Sequence, residues 1–122
     1  MLAITGYIAV DLGFIVHPYG AGLSSAAAHN VMVENGVMGN ALVFIGLFEI
    51  VSYLGVAEML QGSGRDPGDF GFGTWYLEGK TADQAKLLRY QEIKNGRLAM
   101  MAFGGVVTQS VLFDADFPYL GL

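Results

Sequence analysis

Residues 37–57 form an apolar run in which Glu49 is the only charged side chain. A helix needs about 20 residues to cross the hydrocarbon core of a bilayer, at 1.5 Å per residue, and this run is long enough. The rest of the chain agrees, because 53% of its 122 residues are apolar and only 14% are charged. Soluble domains carry about a quarter charged residues. The sequence therefore predicts a membrane protein.

Two further segments are candidate spans, and we place the three spans near residues 1–16, 36–60 and 83–113. The first is short for a crossing, and we expect its helix to lack its beginning. The third starts in a charged stretch, where Thr81 and Gln84 have the spacing of a capping box. Long continuous apolar runs argue against a barrel, which needs alternating strands of about ten residues. The predicted fold is an all-α membrane protein with three transmembrane helices in one domain, residues 1–122.

The six basic residues all lie between positions 65 and 97, which fixes an orientation. Basic residues collect on the side of a membrane from which a protein inserts. Residues 62–90 are therefore expected on that side, with the 17–36 loop and the C-terminus opposite. No basic stripe with interleaved aromatics is present, which argues against nucleic-acid binding. The absence of Cys excludes thiol catalysis and zinc-thiolate sites. The sequence also shows no nucleophile–base pair of the kind that would indicate an enzyme.

The first and third segments resemble each other. Residues 1–7 align with residues 100–106, with identities at Met, Ala and Gly. Repeats of this kind often lie about a pseudo-twofold axis, so we expect the first and third helices to cross as such a pair. The alternative is a shared packing preference, because small residues let two membrane helices approach closely.

Polar side chains at the start of the third span carry the clearest functional signal. Glu92 and Asn95 share one helical face, and Gln109 returns to within about 40° of that face, about 21 Å further along. Arg97 points about 140° away from Glu92, toward a neighbouring helix. Polar residues are costly inside a membrane and are usually functional there. One face therefore presents a column of hard oxygen donors.

The stretch E-I-K-N-G-R-L-A-M at residues 92–100 resembles the third-helix signature of the light-harvesting chlorophyll-binding family, and the likeness extends over nearly the whole chain. It implies that Glu92, Asn95 and Gln109 each bind the magnesium of one chlorophyll, and that Glu49 does so on the middle helix. Magnesium accepts oxygen ligands of these types. It also implies that Arg97 pairs with a first-helix Glu upstream of Met1.

Four further residues are candidate pigment contacts on the same resemblance. His29 in the 17–36 loop would bind another chlorophyll, although a single loop histidine is more often simply solvated. Asn40 lies where many relatives carry Gln. Phe72 and Met100 would contact carotenoid or chlorin, the alternative being ordinary packing.

The glycine-rich loop at residues 64–73 and the C-terminal segment resemble the algal chlorophyll a/c branch of the family. This likeness implies chlorophyll a, chlorophyll c and a carotenoid of the peridinin, fucoxanthin or alloxanthin type, as in dinoflagellates, diatoms or cryptophytes. It also implies a plastid thylakoid location, with residues 62–90 stromal and residues 17–36 and the C-terminus lumenal. The expected partners are a photosystem core, neighbouring antenna subunits and thylakoid lipids.

The function implied by the resemblance is a light-harvesting antenna that passes excitation energy to a photosystem and catalyses no reaction. One alternative is a photoprotective relative that dissipates the energy. A second, from another class, is a pigment-free three-helix assembly or transport protein, in which Glu49, Glu92 and Gln109 would line an ion path.

Overall fold

The computed structural model describes residues 1–14 and 18–119, and the secondary structure of this part of the chain is helical. Its elements in chain order are α1 (Leu2–Asp11), α2 (Ser25–Glu34), α3 (Val37–Leu60), α4 (Thr74–Leu77) and α5 (Ala82–Phe113). The all-α prediction is therefore confirmed for the described residues.

Two of these helices, α3 and α5, are long and apolar enough to cross a membrane. With 24 residues, α3 spans about 36 Å, slightly more than the hydrocarbon thickness of about 30 Å. The 32 residues of α5 reach about 48 Å, so its charged first turns extend beyond the bilayer. The predicted capping box begins α5: the Thr81 Oγ1 accepts from the Gln84 N–H at 3.4 Å, and the Gln84 Oε1 accepts from the Thr81 N–H at 3.1 Å.

The first predicted span is only partly described. α1 has 10 residues and ends at Asp11, and Gly13 then turns the chain at a φ of 89°. Residues 15–17 lie outside the described part. Since α1 by itself is shorter than a membrane crossing, the first span stays a prediction.

The segment that sequence analysis treats as a loop, residues 17–36, contains a helix. α2 begins after Ser24, whose side chain accepts a hydrogen bond from the Ala27 N–H at 3.3 Å. A serine N-cap satisfies one of the free N–H groups at a helix start. α2 packs against α1, α3 and α5, so it joins the middle helix to the other two.

α1 and α5 meet around a small polar contact. Tyr7 and Ser110 are both buried, and their hydroxyls bond to each other. The Ser110 hydroxyl also lies 3.0 Å from the Ala115 carbonyl, and the Tyr7 hydroxyl lies 3.4 Å from the Val106 carbonyl. This contact fixes where the first and third predicted spans touch.

Asp11 joins three parts of the chain at this end of the molecule. Its Oδ1 accepts from the Ser25 backbone N–H at 2.8 Å and from the Ser25 hydroxyl at 2.5 Å. Its Oδ2 accepts from the Phe117 N–H at 3.0 Å. The carboxylate therefore ties α1 to the start of α2 and to the C-terminal segment.

At the other end, the loop between α3 and α4 folds back onto α3. Arg65 pairs with Glu58 at 2.8 Å, and the Phe70 ring lies over Gly55, where an added Cβ would come within 2.8 Å of Phe70 Cε1. Arg89 on α5 pairs with Asp66 of the same loop at 3.1 Å. We call this set of contacts the loop clasp. Glu58, near the end of α3, is one of its partners.

The outer surfaces of the long helices are apolar and open. No residue of α3 is buried, and Phe44 is 73% exposed. α1 packs on α5, but neither packs extensively on α3. An apolar surface of this extent is unfavourable in water, and it suits a bilayer or bound apolar ligands.

Candidate functional site

Three predicted ligands lie on the single continuous helix α5, as the sequence argument requires. Glu92, Asn95 and Gln109 all fall within Ala82–Phe113, and the Asn95–Gly96 pair continues the helix instead of forming a turn. All three side chains are exposed, and the described part of the chain gives them no hydrogen-bond or salt-bridge partner. Their oxygen atoms are therefore open to a ligand from outside the helix.

Arg97 lies two residues after Asn95 on α5 and is also exposed. Within residues 1–14 and 18–119 the guanidinium has no salt bridge. The described residues do not test the predicted ion pair of Arg97 with a first-helix Glu, which stays a prediction.

Glu49 heads an open groove on α3. The groove is lined by Glu49, Ile50, Ser52, Tyr53 and Val56. The Ser52 hydroxyl donates to the Glu49 backbone carbonyl at 2.9 Å and lies 3.4 Å from the carboxylate Oε2. The carboxylate is exposed and has no cation beside it among the described residues. The groove thus combines an apolar wall with one hard oxygen donor.

The candidate ligands His29 and Asn40 lie on different helices. Asn40 is exposed in the first turn of α3. His29 lies on α2, not in an irregular loop, and its Nδ1 is 3.3 Å from the Asn30 Oδ1. In the tautomer that carries its proton on Nδ1 and donates it to Asn30, Nε2 is the basic nitrogen of an exposed side chain. This arrangement orients the ring as a second hydrogen bond does for metal-binding histidines.

The two predicted apolar contact residues are not packed inside the chain. Phe72, in the loop before α4, is 82% exposed, and Met100 on α5 is 68% exposed. Ordinary packing against other parts of the described chain therefore does not account for them. Both surfaces are free to contact a ligand, lipid or another subunit.

The donor set distinguishes between a bare metal ion and a metal that brings its own ligands. The described residues contain no group of three or more His, Cys, Asp or Glu side chains that could hold an ion. A free Mg²⁺ requires an octahedral set of oxygens, which these residues do not supply. Single oxygen donors, separated along apolar helices, would instead suit a magnesium that brings most of its own ligands and needs only one from the protein.

Sequence analysis missed the contacts that hold this arrangement together. Asp11 is the one acidic residue in the first apolar segment, which could have marked it as a hydrogen-bond acceptor. Its partners, Ser25 and Phe117, are far away in the sequence. The loop clasp was missed for the same reason, because Arg65 and Phe70 reach α3 only once the loop has folded back.

A comparison with protein families finds a match over most of the chain. A family model described as chlorophyll A-B binding protein matches residues 1–111. A comparison with curated proteins found no significant match.

Proposed function

Since the chain belongs to the chlorophyll a-b binding protein family, a family of non-enzymatic, pigment-binding light-harvesting proteins, we propose that it is an antenna subunit that delivers excitation energy to a photosystem. Its task is to hold chlorophylls and carotenoids at fixed separations and orientations. Bound chlorophyll supplies the light absorption, and the residues of this chain bind and orient it.

The observation that carries the proposal is the set of unpartnered oxygen donors on the outer faces of α3 and α5. An ionised carboxylate in hydrocarbon is costly unless a cation offsets it. Neither Glu49 nor Glu92 has a cationic partner in the described chain. A chlorophyll magnesium would give each of these oxygens a ligand bond, and Asn95 and Gln109 would serve in the same way without a charge.

The finer pigment assignment belongs to the same proposal. The loop at residues 64–73 and the C-terminal segment support chlorophyll a and c with a carotenoid of the peridinin, fucoxanthin or alloxanthin type. Phe72 and Met100 supply exposed apolar surface for these pigments, and His29 and Asn40 are further candidate ligands. The open space beside α3 leaves room for flat pigments between it and the α1–α5 pair.

The proposed location is the plastid thylakoid membrane, with three crossings. Residues 62–90 would face the stroma, and α2 and the C-terminal segment the lumen. The clustering of the basic residues near one end of α3 and α5 supports this orientation. Neighbouring antenna subunits, a photosystem core and thylakoid lipids would cover the exposed apolar faces.

The ion-path alternative gains no support from the geometry. The groove at Glu49 is lined by α3 residues only, while Glu92 and Gln109 lie on α5. α3 does not pack extensively on α5, so these polar groups do not share one enclosed route within the described chain.

The first test is a pigment count per chain on protein purified in mild detergent. Bound chlorophylls and carotenoid are expected, and Glu92→Ala and Asn95→Ala should each lose about one chlorophyll. Glu78→Ala, which removes an exposed carboxylate at the end of α4, is the matched control and should lose none. A colourless protein that is folded and helical would contradict the proposal.

Fluorescence lifetime then separates the two family functions. A long lifetime in the isolated complex indicates energy delivery. A strongly shortened lifetime with the same pigments would favour the photoprotective alternative.

A further inference from the structure

Tyr53 on α3 has a hydroxyl that no other contact explains. Its side chain is 65% exposed and lines the groove headed by Glu49. The two residues are four apart, so they lie on one helical face. The described part of the chain offers the Tyr53 hydroxyl no hydrogen-bond partner. Buried or lipid-facing tyrosine hydroxyls normally find one.

Water is a poor candidate for that partner. Tyr53 lies about 10 Å before the end of α3 at Leu60, at 1.5 Å per residue. The Cα–Cβ bonds of a helix tilt toward its N-terminus, so this side chain leans back toward Glu49 and the middle of the span. The hydrocarbon core there contains no water to accept a hydrogen bond.

The neighbouring hydroxyl does not serve this purpose. Ser52 donates its single proton to the Glu49 backbone carbonyl at 2.9 Å, the usual local bond of a helical serine. Tyr53 therefore supplies the only uncommitted donor among the groove-lining side chains. Its acceptor must belong to the molecule that fills the groove.

We infer that the Tyr53 hydroxyl donates a hydrogen bond to a carbonyl oxygen on the rim of the chlorin that Glu49 binds. This inference rests on the proposed role of Glu49 as a magnesium ligand. The two side chains are about 6 Å apart along α3, since four residues make one helical turn. The distance from the metal of a macrocycle to its rim is similar. A single axial bond leaves the ring free to rotate about that bond. The second contact stops this rotation and fixes the direction of the transition dipole, on which energy transfer depends.

The test compares Tyr53→Phe, which removes only the hydroxyl, with the unaltered pigment-loaded protein. The chlorophyll count should stay the same, because Glu49 still binds the metal. In the resonance Raman spectrum of Tyr53→Phe, one carbonyl stretch should move to higher frequency because it has lost a hydrogen bond. Glu49→Ala should lose one chlorophyll absorption band, and the same band should shift in Tyr53→Phe.

Tyr76→Phe is the matched control, since the Tyr76 ring is already covered by the Lys80 ammonium at 4.4 Å. It should leave both spectra unchanged. If Glu49→Ala loses one chlorophyll while Tyr53→Phe leaves the carbonyl frequencies and the band position unchanged, the Tyr53 inference alone is overturned. If Glu49→Ala keeps every chlorophyll, the ligand role of Glu49 is overturned, and the inference with it.

Discussion

At the scale of single residues, Asp116 shows how the C-terminal segment responds to acid. It lies close to Asp11 and Asp114, outside the two long helices. Loss of solvation is the largest cause that raises the pKa of the Asp116 carboxyl, and the negative charges of Asp11 and Asp114 raise it further. A hydrogen bond from Ser24 acts in the opposite direction.

The raised pKa predicts the sign of a pH effect. The folded state favours protonated Asp116, so the ionised carboxylate opposes folding at neutral pH. As the pH falls through the pKa of folded Asp116, protonation removes this unfavourable contribution and the free energy of unfolding rises. The rise is complete below the ordinary pKa of 3.8. Asp116→Asn, which resembles the protonated form, should therefore raise the thermal midpoint at pH 7, and this difference should shrink as pH approaches 4.

Thermal unfolding followed by circular dichroism at a series of pH values checks this prediction. Glu34→Gln, at the exposed end of α2, is the control and should show no such trend. An Asp116→Asn midpoint below that of the unaltered protein at pH 7 would contradict the argument.

At the scale of elements, the loop clasp is held by one close approach of side chain to backbone. Gly55 leaves room for the Phe70 ring, and Arg65 donates to the Asp69 carbonyl at 3.1 Å while pairing with Glu58. An exposed ion pair of this kind contributes little by itself. The ring against Gly55 is therefore expected to hold the loop.

Gly55→Ala should open the clasp, because its Cβ would lie 2.8 Å from Phe70 Cε1 and the ring must move. The expected result is faster trypsin cleavage after Arg65, severalfold at a fixed protease concentration, with α3 still helical. Gly46→Ala on the same helix is a matched control, since nothing lies within 4 Å of its added Cβ. Equal cleavage rates for the two variants would show that Phe70 does not restrain the loop.

The elements also show what a sequence can and cannot predict. α3 could be predicted from the long apolar run around Glu49, and the start of α5 from the capping box at Thr81. Both are local signals, which do not depend on the rest of the chain. α2 was missed because its ten residues carry only a serine cap as a signal. The end of α1 has a local signal, because Gly13 turns the chain there at a φ of 89°. The bonds of Asp11 to Ser25 and Phe117, far away in the sequence, are encoded by no local pattern.

The candidate site follows the same division. The register of Glu92, Asn95 and Gln109 could be predicted because a continuous helix fixes it. The open groove at Glu49 is lined by α3 residues only, so its lining also follows from the helical register. What the sequence could not predict is that neither α1 nor α5 packs extensively over α3. The proposed hydrogen bond of Tyr53 could not be predicted either, because it depends on the Ser52 hydroxyl donating to the Glu49 backbone carbonyl.

At the scale of the whole molecule, the chain supplies too little core to hold itself together. Tyr7, Ala28 and Ser110 are buried, whereas the α3 window that qualifies as a membrane span has none of its residues buried. Intrahelical hydrogen bonds keep each helix intact in a membrane or detergent, but they do not fix one helix against another. Pigments between α3 and the α1–α5 pair would provide the missing contacts.

Removal of the pigments should therefore abolish cooperative unfolding and leave helix content largely intact. A ligand that binds only the folded state stabilises it by about 4 kcal/mol at a thousandfold excess over its Kd, and several such sites add. The measurement is a thermal melt by circular dichroism in one detergent, before extraction, after extraction and after pigments are added back. We expect a sharp transition, then a broad one at similar starting helicity, then a sharp one again. A stripped chain that melts as sharply and at the same temperature as the loaded one would show that the helices pack without pigment, which would contradict this account of the fold.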